Sequence, residues 1–147
     1  MMKWFAISAM AAVALLAGPA GAQTPIQAGE WETADKTTME GVQPMPATSR
    51  KVCLKGSEAQ LERLLFPTPD EMAKHGCKYQ GAIKTPGVLQ STLSCPPTAD
   101  ITGIDATAEI TFSATSYEGL GQLTAKDKSG TTIKGSSVLS GKRLGDC

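Results

Sequence analysis

Asp105-Ala106-Thr107-Ala108-Glu109-Ile110-Thr111-Phe112-Ser113 is the stretch from which the fold class follows. Ala106, Ala108, Ile110 and Phe112 alternate with polar residues at period two, the spacing of a strand with one buried and one wet face. Downstream, Ala114-Thr115-Ser116 turns the chain into Tyr117 to Ala125, and Asp127-Lys128-Ser129-Gly130 turns it again into Thr131 to Ser140. Upstream, Lys78 to Lys84 and Val88 to Cys95 flank Pro86-Gly87, where proline presets φ and glycine accepts the positive φ of a type II turn. Further back, Glu30 to Thr38 and Thr48 to Leu54 form another pair, joined by the proline-containing loop from Gly41 to Pro46. Consecutive hairpins of this cadence predict a mainly β chain, a single antiparallel sheet of about seven strands. Gly119, Gly121 and Gly135 lie inside strands, where glycine permits the curvature of a barrel or half-barrel.

Between Cys53 and Cys77 the pattern changes to a short two-helix insertion. Ser57-Glu58-Ala59-Gln60 fits a capping box ahead of Leu61, Leu64 and Leu65, with Pro67 as the stop. Thr68-Pro69-Asp70-Glu71 fits a second box with proline at the first helical position, and Gly76 suits its end.

The first 22 residues read as a removable leader. Lys3 gives a positive start, Trp4 to Leu16 is almost wholly apolar, and Pro19 with Ala20-Gly21-Ala22 supplies the break and the small-x-small site, so cleavage is expected before Gln23. An apolar run of about 13 residues is short of the roughly 20 that span a bilayer. The chain of 147 residues then leaves 23–147, room for one domain with no transmembrane segment, in the periplasm or secreted. Fourteen basic against fourteen acidic side chains argue against a nucleic-acid binder or a polybasic membrane-surface protein. All four cysteines, Cys53, Cys77, Cys95 and Cys147, follow the leader, an even number suited to two disulfides in an oxidising compartment. Gaps of 24, 18 and 52 residues do not match a zinc site. Four cysteines allow three pairings; Cys53 to Cys77 with Cys95 to Cys147 is favoured because the first bond would close the helical insertion.

Side chains that could carry chemistry are few. His75 is the only histidine, and neither a Cys-His pair with Cys77 nor a Ser-His-Asp set has supporting sequence around it. Glu30 and Glu32 share one strand face around Trp31, which reads as a solvated edge with the indole turned inward. Met39, Met45, Met72 and His75 are soft ligands of the kind that select Cu(I), although methionine also fills gaps in cores. Gly119-Leu120-Gly121 has no lysine or helix start at the spacing of a phosphate loop.

Several pieces also occur in combination: Gly29-Glu30-Trp31-Glu32, a Met-Pro loop, Arg50-Lys51-Val52-Cys53, Gly76-Cys77-Lys78, Thr92-Leu93-Ser94-Cys95, Ser116-Tyr117-Glu118-Gly119, and Gly141 through Gly145-Asp146-Cys147. Together they resemble the small secreted proteobacterial proteins grouped as domain of unknown function 3617, over nearly the whole chain after the leader. The resemblance implies an exported, mainly β domain with no assigned activity and no catalytic residues to carry over. The Met-Pro loop here is shorter and poorer in methionine than in that group.

The expectation is an exported, non-enzymatic binding or interaction module of the bacterial envelope, without a cofactor, taking a small ligand or an envelope protein as partner. The alternatives are soft-metal (copper) binding, or an enzyme with unrecognised carboxylate chemistry. The leader makes a checkable statement: intact-mass measurement of periplasmic material should give a chain beginning at Gln23, with or without cyclisation to pyroglutamate, and a retained leader or lipid adduct would contradict it.

Overall fold

The computed structural model describes residues 24–66, 68–99 and 101–147; the leader, its cleavage point before Gln23 and Pro67 as a helix stop lie outside the described residues. Seven strands form one antiparallel sheet: β1 (Gly29–Met39), β2 (Thr48–Leu54), β3 (Lys78–Thr85), β4 (Val88–Cys95), β5 (Ile101–Phe112), β6 (Ser116–Asp127) and β7 (Thr132–Gly145). A meander runs from β3 to β7, and β1 then pairs with β7, giving the order β2-β1-β7-β6-β5-β4-β3. The single antiparallel sheet of seven strands is the one expected; of the two curvatures that the strand glycines permit, the closed barrel does not form, and β2 and β3 are open edges.

The alternation that predicts β5 also assigns its faces. Ala106, Ala108, Ile110 and Phe112 register with Leu123, Gly121, Gly119 and Tyr117 of β6, and these rows continue across β7 to Met39, Thr37, Asp35 and Thr33 of β1, the face that Trp31 shares by alternation. This core face carries a band of buried side chains at one end of the sheet: Leu54, Trp31, Tyr117, Ile110 and Leu89. We call this the upper end; β2 and β7 finish there. Trp31 is fully buried, its Nε1 donating to the Gln27 carbonyl at 2.9 Å, while Glu30 meets Lys51 at 3.6 Å on the other face, as the alternation around Trp31 predicts. Two inward glycines accommodate large neighbours. A Cβ at Gly141 would run into the Tyr117 ring, and one at Gly135 into the Met39 sulfur.

The insertion packs on this band as Leu61 and Leu64 of the segment around α1 (Glu62–Leu65). The capping box at Ser57 does not form: residues Gly56–Glu58 make a 3₁₀ turn, and Leu61 precedes α1 with no side-chain cap. The reason is tertiary. Residues 59–61 pair with the incoming chain through Ile26 N–H to Ala59 O at 3.0 Å and Leu61 N–H to Thr24 O at 2.8 Å, which removes them from any helix. In α2 (Pro69–Lys74) the Thr68–Glu71 box forms in full, with Pro69 at the first helical position, and Gly76 follows at φ +69°. Gly87 takes φ +80° in its turn, as the Pro-Gly pair predicts.

Strand β7 runs to Gly145 rather than stopping at Ser140, because Lys142 and Arg143 remain in register with Glu32 and Trp31 of β1. This bears on the cysteines. The bonds are Cys53–Cys147, with Cα atoms 6.0 Å apart, and Cys77–Cys95, at 4.1 Å. The expected pairing of Cys53 with Cys77 and Cys95 with Cys147 is therefore corrected, and strand direction explains why. β2 and β7 finish at the upper end, where Glu30 lies between Cys53 and Gly145 in the register, whereas β3 begins and β4 finishes at the lower end, with Lys78 opposite Ser94.

In the chain-entropy picture, the bond with a separation of 94 residues contributes about 4–5 kcal/mol and the one with 18 about 3 kcal/mol. Cys147→Ser should therefore lower the free energy of unfolding more than opening the Cys77–Cys95 bond does, measured by urea titration. Peptide mapping without reduction should recover Cys53 joined to Cys147.

Candidate functional site

Beneath α1, the core face of β1, β2, β6 and β7 leaves a groove of about 300 Å³. Its position follows from register. Tyr117 pairs with Gly141, Gly141 with Thr33, and Thr33 with Arg50, so these four stand in one row across β6, β7, β1 and β2. The next row holds Leu139, Asp35 and Thr48. Gly141 brings no side chain, and the far end of the Tyr117 ring occupies that space, bringing the phenol to the row that Thr33 and Arg50 complete. Leu64 and Leu65 of α1 form the opposite wall. Arg50 fastens that wall to the sheet, its Nη2 donating to the Leu64 carbonyl at 3.0 Å.

The groove is amphipathic. Leu64, Leu65 and Leu139 are buried or half-buried, whereas Asp35 and Arg50 are exposed at its mouth. Asp35 accepts a hydrogen bond from Thr48 Oγ1 through one oxygen. Tyr117 is stacked on Trp31 with ring centroids 6.5 Å apart. Burial pushes its phenol up to about 12; the charge of Arg50 pulls the other way and that of Asp35 adds to the rise, so the hydroxyl is protonated at neutral pH and keeps a proton to donate.

A larger, more open depression of about 520 Å³ lies at the β5–β6 turn. Glu32, Glu118 and Lys142 line it together with three serines and Thr111. Glu32 faces Lys142 across the β1–β7 ladder, so the carboxylates around Trp31 are a solvated, charge-matched strand face.

The soft-ligand candidates take separate places in the fold. Met39 ends β1, half-buried, with its sulfur over Gly135; Met45 is exposed in the β1–β2 loop; Met72 is half-buried on α2, and His75 is the exposed residue that ends α2. Among the described residues no group of three or more His, Cys, Asp or Glu side chains could hold a metal ion. All four cysteines are spent in disulfides. Sequence reading missed Arg50, Asp35, Thr33 and Tyr117 as a group. The available signal was parity: Arg50 shares period two with Val52 and Leu54, and Asp35 with Trp31 and Thr33, which places two charges on the apolar side of their strands.

An open seven-stranded antiparallel sheet with a two-helix insertion and a disulfide at each end defines a small, mainly β, disulfide-linked class of protein. The chain belongs to the family described as Protein of unknown function (DUF3617), whose model matches residues 26–147. No curated protein and no solved structure matches it. Among the described residues no helix is long and apolar enough to cross a membrane.

The phenols provide a pH test. Burial raises both Tyr117 and Tyr79 above the ordinary phenol value, Tyr79 also through the nearby charge of Glu62. A raised folded value means the stability from the neutral phenol is intact below pH 10 and is lost as pH rises from there toward about 12 for Tyr117. Absorbance at 295 nm should show no phenol ionising near 10 in the folded protein, and Tyr117→Phe should leave a single phenol, still above the ordinary value.

Proposed function

We propose that this chain is an exported, non-enzymatic binding module of the bacterial envelope, with the groove beneath α1 as its ligand seat. The observation that carries the reading is the lining of that groove: leucines on two walls, with hydroxyl, guanidinium and carboxylate groups gathered at one side. Apolar walls with a few convergent polar groups are what small-molecule sites use, the walls supplying affinity and the polar groups orientation. The volume of about 300 Å³ stands at the low end of such sites and suits a small ligand rather than a polypeptide. Two disulfides and the leader-like N-terminal stretch support delivery to an oxidising compartment.

A neutral apolar fluorophore, N-phenyl-1-naphthylamine, tests the seat without assuming the natural ligand. It should bind and shift the amide resonances of Thr33, Leu64 and Leu139. Leu65→Arg should weaken it by roughly 10-fold or more, since losing one leucine contact is worth about 1.5–3 kcal/mol. Unchanged affinity in a folded Leu65→Arg protein, or shifts confined to other surfaces, would remove the groove as the seat.

A further inference from the structure

We propose that the groove takes a free apolar α-amino acid, with its side chain against Leu64, Leu65 and Leu139, its carboxylate on Arg50 and its ammonium on Asp35. This assignment rests on the binding reading above and gives it a ligand class.

Charge is the first argument. Arg50 has five N–H donors, one of which donates to the Leu64 carbonyl, and among the described residues no carboxylate forms an ion pair with it. Asp35 is held on one oxygen by Thr48, which orients the group, and among the described residues no donor reaches the second oxygen. One cation and one anion at the same mouth disfavour a simple anion, which Asp35 repels, and a simple cation, which Arg50 repels. A molecule carrying both charges satisfies each.

Spacing is the second argument. Thr33 is the direct cross-strand partner of Arg50, and Asp35 is the next inward residue along β1. Diagonal neighbours of this kind have Cα atoms about 7–8 Å apart, so their side-chain ends can grip the two groups of one α-carbon from either side. Polarity also divides the mouth from the interior. The charged groups are exposed, and the leucines lie behind them, which is the distribution of polarity in leucine or phenylalanine itself. The Tyr117 hydroxyl lies on the lining, holds its proton at neutral pH and can donate to the bound carboxylate. A volume of about 300 Å³ accepts a molecule of this size and is far too small for a two-chain lipid.

Three ligands and two variants separate the contacts, read by calorimetry and by amide shifts on the intact disulfide-bonded protein. L-Leucine should bind with shifts at Thr33, Arg50, Leu64 and Leu139, and both N-acetyl-L-leucine and L-leucinamide should bind at least about tenfold more weakly, each having lost one charge. Arg50→Gln should weaken leucine and N-acetyl-leucine about tenfold and leave leucinamide unchanged. Asp35→Asn should weaken leucine and leucinamide and leave N-acetyl-leucine unchanged. Both variants should keep the parent circular dichroism spectrum, Asp35→Asn with an unchanged unfolding midpoint and Arg50→Gln with one lowered by loss of its bond to the Leu64 carbonyl. Equal affinity for the three ligands, or indifference to both variants, would overturn the zwitterion assignment. Entry of the naphthylamine with no binding of leucine or phenylalanine would overturn this inference alone, and failure of every probe would overturn the binding reading with it.

Discussion

The pairing of β1 with β7 is the constraint on which the rest of the molecule depends. Five strands from β3 to β7 follow one another as a meander of local hairpins, but the hairpin of β1 and β2 joins them only through a ladder between the first strand and the last. That ladder sets Trp31 beside Tyr117, completes the row that ends in Arg50, and places Cys53 within reach of Cys147. Arg143 reinforces it from β7, its Nε donating to the Ala28 carbonyl at 2.7 Å and its backbone N–H to Thr115 O at 2.8 Å. Contacts so distant in sequence carry a large loop-closure cost, which the packing of Trp31 and the long-range disulfide must offset.

The core built on this ladder is small. The largest fully buried side chains are Trp31, Leu61, Leu89 and Ile110, and the buried band occupies the upper end of one face. The segment from Thr24 to Ala28 holds the insertion against that band, with Thr24 donating to the Glu62 carboxylate from both its backbone N–H and its hydroxyl. Such a lid seals the band on one side and leaves the amphipathic groove on the other. The outer face carries Leu120 and Val138, an exposed apolar pair in direct register on β6 and β7.

What could be read from sequence was what neighbouring residues decide. Period-two alternation found β5 and the strands around it, because each strand buries one face. The Thr68–Glu71 box was legible because its bonds close within four residues. The Ser57 box failed because residues 59–61 bond to the incoming chain, and no local signal reports that competitor. The extension of β7 past Ser140, the disulfide pairing and the groove share one cause: each is fixed by which strand lies beside which. Counting strand directions places Cys95 and Cys147 at opposite ends, yet only the β1–β7 ladder shows that Cys53 is the partner waiting there.

The placement of the bonds has a consequence for biogenesis. A chain made from its N-terminus presents Cys53, Cys77 and Cys95 before Cys147 follows, so the native partner of Cys53 is the last to arrive. Cys77 and Cys95 bracket a local hairpin and can join as soon as β4 is in place. Until β7 is made, Cys53 is without its native partner and close in sequence to Cys77, and a bond between them would strand Cys95 and Cys147 at opposite ends of the sheet. Oxidation in strict order of appearance would therefore trap the chain. Early closure of the β3–β4 hairpin protects against that error by removing Cys77 from competition, and a thiol–disulfide isomerase would be needed by those chains in which Cys53 reacts first.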